Sequence, residues 1–305
     1  IAKGVEKTIQ TQRRLHNNRF YVFRAVNTRW SWTGEIRACH PAKIRSTSTL
    51  RINLRCGSNG TGVLKATVEM PYIEIGIPVL AVCTALGFRN ADQVAVCAAT
   101  GGALSGLDAI PPGSAWDVHP VHTTRQWVLS LLSDDAHTLP DFSSMPRSKI
   151  LQWIGEEGTK RKAAGDRAKY AAHLMANEFL PHLGLNSSPD TIARKGQYFA
   201  IMLAAMADVA RGIVPPDDRD HAGNRQYETA GMLCATLARQ HYRNFRRKLA
   251  SEIRRFAENS RFVGIPDLMN IKRMTDGFVY ALSTGNWGLQ KGGSTQTGVA
   301  QMLNR

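Results

Sequence analysis

The sequence predicts an α+β fold, with strands early in the chain and helices late. Three observations predict it. Residues 49–55, TLRINLR, alternate cleanly: Leu50, Ile52 and Leu54 fall on one face, Arg51, Asn53 and Arg55 on the other. From Ile77 onward the pattern turns helical. Far down the chain Tyr242, Phe245, Leu249, Ile253 and Phe256 recur at helical spacing, with Arg243, Arg246, Arg247, Arg254 and Arg255 mostly off that face.

Taken in order, residues 5–10 and 20–24 are rich in aromatic and β-branched residues and read as strands, with His16 to Asn18 between them as a turn candidate. The stretch 57–62, GSNGTG, is a turn, and VLKATVEM after it pairs with strand 49–55 as a hairpin. Leu107 to Pro120 is broken by Pro111, Pro112 and Gly113 and reads as a loop. Helices follow near 122–132, 147–155, 166–183 and 190–211, the last ending at Gly212 before Pro215 and Pro216. A long helix covers about 229–259, and Pro266 to Ser283 adds another.

The composition is that of a globular protein, 305 residues with 43% hydrophobic and 21% charged, rather than of a disordered chain. The net charge of +15 is unevenly placed. Residues 1–65 hold 13 Lys/Arg against 2 Asp/Glu, residues 66–226 hold 14 against 17, and residues 227–305 hold 12 against 5. Two basic ends around a neutral middle suggest a polyanion-facing surface, or a basic surface that an acidic subunit covers. The five cysteines are odd in number and widely spaced, without a CxxC pair, which suits a reducing compartment and neither a zinc site nor a disulfide framework. No apolar run approaches the roughly 20 residues that span a bilayer; Ile75 to Phe88 is too short and contains Pro78 and Gly87. The N-terminus carries no initiator Met and no signal-peptide pattern, and both ends read as cuts through a longer chain.

The densest polar cluster is PPDDRDHAGNRQ, residues 215–226. Asp217, Asp218, Asp220 and His221 have the oxygen-rich chemistry of a Mg²⁺ site, and a metal-dependent hydrolase is the reading that follows from it. The same loop reads more readily as a salt-bridge loop whose carboxylates orient Arg219 and Arg225, because two arginines so close offset much of the charge a metal needs. The basic helix 239–255 suits phosphate contact, or is a solvated face of a helix buried on its other side. GLQKGGSTQTG, 288–298, lacks the spacing of a phosphate-binding P-loop and reads as a flexible loop held at its base by Trp287. The histidines show neither HxxxH nor HExxH spacing. From the residues alone this is a basic, polyanion-facing α+β chain.

Several segments together resemble one family. ALSTGNWGLQK…TGVAQMLNR, at 281–305, resembles the ALATGNWG…AGVSQVLNR stretch of the second-largest subunit of multisubunit DNA-directed RNA polymerases, the equivalent of bacterial β. GVEKTIQTQ (4–12) is similar to the family's GSEKVLIAQ, and MPYIEIGIPVLAVCTALGF (70–88) to its LPYI…IPIV…ALG segment. IGEEGTKRK (154–162) and NEFLPHLG (177–184) resemble IGRRGT and EFLPH, and DDRDHAGNRQYETAG (217–231) resembles DDRDHFGKKRLDLAG. The match is colinear over nearly the whole chain, and the GNWG–LNR wording favours the polymerase II type or a homologue from a large DNA virus.

The resemblance implies a lobe domain inserted into a split protrusion domain, followed by the start of the fork: residues 1–24 and 227–286 as protrusion, 25–226 as lobe and 287–305 as fork. It implies that Gln301 lies beside the RNA of the RNA–DNA hybrid, where an amide both donates and accepts. Lys291 falls in the first fork loop as a phosphate-seeking cation, and Glu6 and Lys7 match a protrusion strand near the hybrid. Asp220 and Arg225 match a pocket that takes a non-template guanine in bacterial homologues, or else they order the lobe–protrusion junction. Gln296-Thr297-Gly298 replaces the family's Arg-Ala-Gly and GGST a more basic run, which removes positive charge near the hybrid.

The function so implied is that of an internal fragment of a nuclear (alternatively viral) polymerase subunit. It forms one wall of the cleft and positions template and non-template DNA and the RNA–DNA hybrid, with the largest and the smaller subunits as partners and no membrane. The whole enzyme is a nucleotidyltransferase using two Mg²⁺ ions held outside this fragment, with Zn²⁺ later in the full-length subunit and neither a metal nor a catalytic residue in this piece. The alternative is a stand-alone basic nucleic-acid-binding scaffold.

Overall fold

The computed structural model describes residues 4–25, 29–40, 48–56, 63–99, 127–129, 132, 142, 144–158, 166–259, 264, 271–285 and 299–301. The expected turn at 57–62, the loop at 107–120, the loop at 288–298 with Lys291, most of helix 122–132 and the start of helix 266–283 lie outside the described residues. Strands and helices are both present, so the expected α+β class is the observed one. The chain divides into two compact units, residues 16–221 and residues 1–15 with 222–305.

The first unit, residues 16–221, is built on a five-stranded antiparallel sheet. Its strands, in both chain and spatial order, are β3 (Phe20–Arg24), β4 (Trp32–Ala38), β5 (Ser48–Cys56), β6 (Val63–Glu69) and β7 (Ile77–Pro78). The predicted alternation of β5 is realised: Leu50, Ile52 and Leu54 are buried, while Arg51 and Arg55 are exposed. Asn53 departs from it and is buried, because it accepts from Thr33 Oγ1 and donates to Glu69 Oε1 across the neighbouring strands. Strand β4 had no expectation. Its residues alternate only in part, and the pairing Ile36↔Leu50 and Gly34↔Ile52 places it inside the sheet.

Helices cover the apolar face. The helices of this unit are α1 (Val79–Ala85), α2 (Ala91–Ala99), α3 (Arg147–Gly158), α4 (Arg167–Asn177) and α5 (Pro189–Ala210). The last starts where chemistry says it should: Ser188 caps it by accepting from Thr191 N, Pro189 occupies its first turn and Asp190 faces the positive end of the helix. Phe199, Leu203 and Met206 of α5 join Val22, Ile36 and Ile52 in one core. Each such fully buried side chain stabilises the fold by about 1.5–3 kcal/mol. Gly34 makes the close approach possible, since a Cβ there would lie 2.4 Å from the Phe20 ring and 2.9 Å from Met206 Sδ. Two cations finish helix ends: Arg147 Nε donates to Ala85 O at 2.8 Å, and buried Lys195 donates to Ala176 O at 2.7 Å.

The expected helix 166–183 stops early. It ends at Asn177, and a 3-10 turn at Pro181–Leu183 follows a left-handed Leu180 (φ +42°). Pro181 explains the break, because a proline drives the residue before it out of the helical region. Helix α3 runs on past its expected end at 155 to Gly158.

The second unit joins the two chain ends. Strand β1 (Lys7–Ile9) pairs antiparallel with β9 (Val299–Gln301), and β2 (Gln12–Leu15) with β8 (Arg225–Glu228). Two helices complete it, α6 (Ala230–Glu258) and α7 (Lys272–Thr284). Its hydrophobic cluster is built on Leu233, Leu237 and Ala281, with Ile9, Phe278 and Leu282 against it. The strands expected at 5–10 and 20–24 therefore form but do not pair with each other: the first belongs to this unit and the second to the five-stranded sheet, and the turn at Asn17–Asn18 (Asn18 φ +61°) opens the inserted unit.

Candidate nucleic-acid interface

Of the residues singled out from the two ends of the sequence, two meet in the fold. Lys7 and Gln301 stand directly opposite each other in the β1–β9 ladder. Lys7 is half-buried, and its ammonium donates to the carbonyl of Ser283 in the last turn of α7, where a cation suits the negative end of the helix. Glu6 is exposed, and Lys7 turns to that carbonyl rather than to its neighbour's carboxylate. Helix α7 stops on Gly285, the first glycine of the GNWG motif, whose φ of +72° is the left-handed conformation of a glycine helix end. Strand β2 is held to β8 by an ion pair of 3.3 Å between Arg14 and Glu228.

Helix α6 supplies the charge. It is 29 residues and about 43 Å long, and only Leu233 and Leu237 along it are buried. Arg239, Arg243, Arg246, Arg247, Lys248, Arg254 and Arg255 are all exposed, and between 239 and 255 Glu252 is the one acid, paired with Arg255 at 2.8 Å. Helix α7 packs across α6 where Gly277 faces His241; a Cβ there would meet the imidazole ring at 2.2 Å. Burial in this packing lowers the His241 pKa from its usual value.

The DDRDH loop splits at the boundary between the units, with Asp220 in one and Arg225, opposite Leu15 in the β2–β8 ladder, in the other. Asp217 docks on the outer edge of β3: its backbone N donates to Val22 O and its carboxylate accepts from Val22 N, both at 2.8 Å. Burial raises the Asp217 pKa, against the opposing effects of the Val22 hydrogen bond and the Arg19 charge. Asp218 accepts from Asp220 N at 2.8 Å and closes a turn. Arg219 lies 3.8 Å above the Phe23 ring, and both its amino groups stand 3.4 Å from Glu35 Oε2. Arg219 of the expected salt-bridge loop is thus docked onto a distant carboxylate, while Asp218, Asp220 and Arg225 have further contacts of their own. Among the described residues no group of three or more His, Cys, Asp or Glu is arranged to hold a metal ion.

Glu35 is the residue that sequence reasoning passed over. It is 2% exposed, and it receives Arg37 Nε at 3.0 Å and Arg51 Nε at 3.6 Å besides Arg219. Burial alone would raise its pKa, but the Arg37 hydrogen bond and the charges of Arg37, Arg51 and Arg219 outweigh that and hold it below the usual carboxylate value. The available signal was its isolation, for Glu6 and Glu35 are the only acids in the first 65 residues.

Comparison with known proteins shows which proteins the chain resembles. Residues 138–227 match the sequence model of the family RNA polymerase Rpb2, domain 2. Along its whole length the chain is 29% identical to DNA-directed RNA polymerase II subunit 2 of Arabidopsis thaliana and 30% identical to the RPB2 subunit of Encephalitozoon cuniculi. Over 52% of its length it is 31% identical to DNA-directed RNA polymerase subunit Rpo2 of Sulfolobus acidocaldarius. The chain belongs to the family of second-largest subunits of multisubunit DNA-directed RNA polymerases. Both of these full-length relatives are polymerase II subunits, and the chain spans 24% of their length.

Proposed function

We propose that this chain is the part of a nuclear polymerase's second subunit that lines one side of the nucleic-acid cleft and holds DNA and the RNA–DNA hybrid against the active centre. The observation that carries this reading is α6, with seven exposed Lys/Arg against one acid between 239 and 255, in the same unit as the Lys7–Gln301 pair. A face of that composition neutralises phosphates without reading bases. On this reading residues 1–24 and 227–286 are the protrusion, 25–226 the lobe and 287–305 the start of the fork. Gln301 touches the RNA of the hybrid, and Lys291, Glu6 and Lys7 border it. Asp220 and Arg225 order the junction or meet a non-template guanine. The chain contributes position and not chemistry: Mg²⁺ and Zn²⁺ are held elsewhere in the assembled enzyme, whose largest and smaller subunits are its partners.

The test uses the longer subunit assembled with its largest-subunit partner on an RNA–DNA hybrid scaffold. Gln301→Ala, and separately Arg243, Arg246, Arg247 and Arg254 changed together to Gln, leave assembly intact but release the scaffold at lower salt. The arginine variant flattens the salt dependence by about one unit of logarithmic slope for each phosphate that is no longer neutralised. A subunit that does not co-purify with a largest subunit, or variants with unaltered salt stability, overturns the reading.

A further inference from the structure

Between residues 239 and 255 helix α6 carries no threonine and one serine, Ser251. It is exposed, and its hydroxyl makes no hydrogen bond among the described residues, whereas Thr236 on the same helix bonds back to Met232 O at 3.0 Å. An α-helix turns about 100° per residue, so Arg247, Lys248, Arg254 and Arg255 all lie within about 60° of Ser251 around the axis, in the turns just before and after it. Tyr242, Leu249 and Ile253 fall on the opposite side, which makes Ser251 the centre of the basic stripe. Glu252 is paired with Arg255 at 2.8 Å, and Arg247, Lys248 and Arg254 have no ion-pair partner among the described residues.

We infer that Ser251 is a phosphorylation site for a basophilic serine kinase, and that the phosphate switches off polyanion binding by α6. A kinase whose acidic cleft selects Lys or Arg ahead of the acceptor finds them at 243, 246, 247 and 248. The kinase must also draw the acceptor into extended backbone. Helix α6 buries only Leu233 and Leu237, both well before Ser251, so its far half opens with little loss of buried contact. In the transfer Ser251 Oγ bonds to the γ-phosphorus of ATP as the bond to the ADP oxygen breaks, and the hydroxyl proton passes to the kinase's carboxylate base. The product places nearly two negative charges within a turn of Arg247, Lys248, Arg254 and Arg255. Seven cations less one acid give residues 239–255 a charge of +6, which falls to about +4. The phosphate thus occupies, from within the chain, the cations that would neutralise a nucleic-acid backbone. The switch rests on the proposed function of α6; the acceptor site does not.

The test incubates the full chain with a purified basophilic kinase and ATP labelled in its γ-phosphate, with Ser251→Ala and an acidophilic kinase as controls, and maps the labelled residue by mass spectrometry. Label is expected on Ser251 from the basophilic kinase alone, and the Ser251→Ala chain, folded by circular dichroism, is expected to lose it. Anisotropy with a fluorescent RNA–DNA hybrid then compares the two forms. Phosphorylation is expected to weaken binding about tenfold and to make the logarithmic salt slope shallower by about two. Ser251→Glu should fall between the two forms, and Ser251→Ala should bind as the unmodified chain does. Absence of label at Ser251 overturns the inference, as does a phosphorylated chain that binds the hybrid with unaltered affinity and slope. Label on Ser251 in a chain that binds no hybrid in either form supports the acceptor site and counts against the proposed function instead.

Discussion

His182 lies just past the left-handed Leu180, edge-on to Tyr198 at a ring separation of 5.3 Å. Both its ring nitrogens are shielded, and neither has a hydrogen-bond partner among the described residues. Burial first, then the charges of Lys195 and His40, lower its pKa from 6.5 to about 4. The folded protein therefore keeps this histidine neutral where the unfolded chain takes up a proton. Stability is unaffected above pH 6.5 and falls as pH drops from there toward 4, by about 3 kcal/mol in all. His182→Phe preserves the ring packing and removes the titration. Urea melts at a series of pH values should show a flatter profile for the variant in that window, and equal slopes would show that His182 is not the group responsible. From sequence such a histidine reads as structural, and it is; its environment was not legible, because Lys195 and His40 reach it from distant parts of the chain. The same holds for Arg219, whose partner Glu35 is 184 residues away, so the loop's own aspartates were the nearer and mistaken choice.

At the scale of elements, the IGEEGT segment shows why glycine recurs at a three-residue interval there. Gly155 and Gly158 share one face of α3. A Cβ on Gly155 would lie 2.5 Å from the carbonyl oxygen of Arg167 at the start of α4, and one on Gly158 would lie 2.7 Å from Ile73 Cγ2. The Gly158 carbonyl also accepts from Glu74 N at 3.1 Å, so two segments that resemble the family in sequence touch each other in space. The obstacle at Gly155 is backbone, which cannot rotate away. Gly155→Ala should destabilise by about 2–3 kcal/mol, read as a lowered denaturation midpoint. Gly231→Ala, in the first turn of α6 with nothing within 4 Å of the added carbon, should be neutral or stabilise by up to about 1 kcal/mol. A Gly155 variant as stable as the Gly231 variant would refute the close-approach account. Long elements such as α5 and α6 were legible because periodicity and caps are local. Strands β2, β4, β8 and β9 were not, since three to seven residues carry little pattern and each is defined by a partner elsewhere in the chain.

For the molecule as a whole, the charge split along the sequence was legible, and its structural meaning was legible only in part. The basic ends form one unit with β1–β9 and β2–β8 as its seams, but basic residues 16–65 fall in the other, on the sheet that carries Glu35. The two units are unequal in what holds them. Residues 16–221 enclose an extensive core running from Val22 and Ile36 through Ile154 to Met206, in which α5 and the sheet bury each other's apolar faces. The other unit clusters around Leu233, Leu237 and Ala281, while Tyr242 and Ile253 on the far half of α6 stay 56% and 42% exposed. Local stability follows buried apolar contact, so opening should be far easier in the second unit. Hydrogen exchange of the full chain is expected to show slow amides in α5 and in strands β3 to β6, and fast exchange through residues 240–258 of α6 despite its continuous helical hydrogen bonding. Addition of duplex DNA should slow that half of α6, because phosphate contact on its arginines stabilises the ordered form by mass action. Equal protection in both units without DNA would mean that α6 is held by interactions other than the packing described, and its exposed face would then be no guide to how this unit opens.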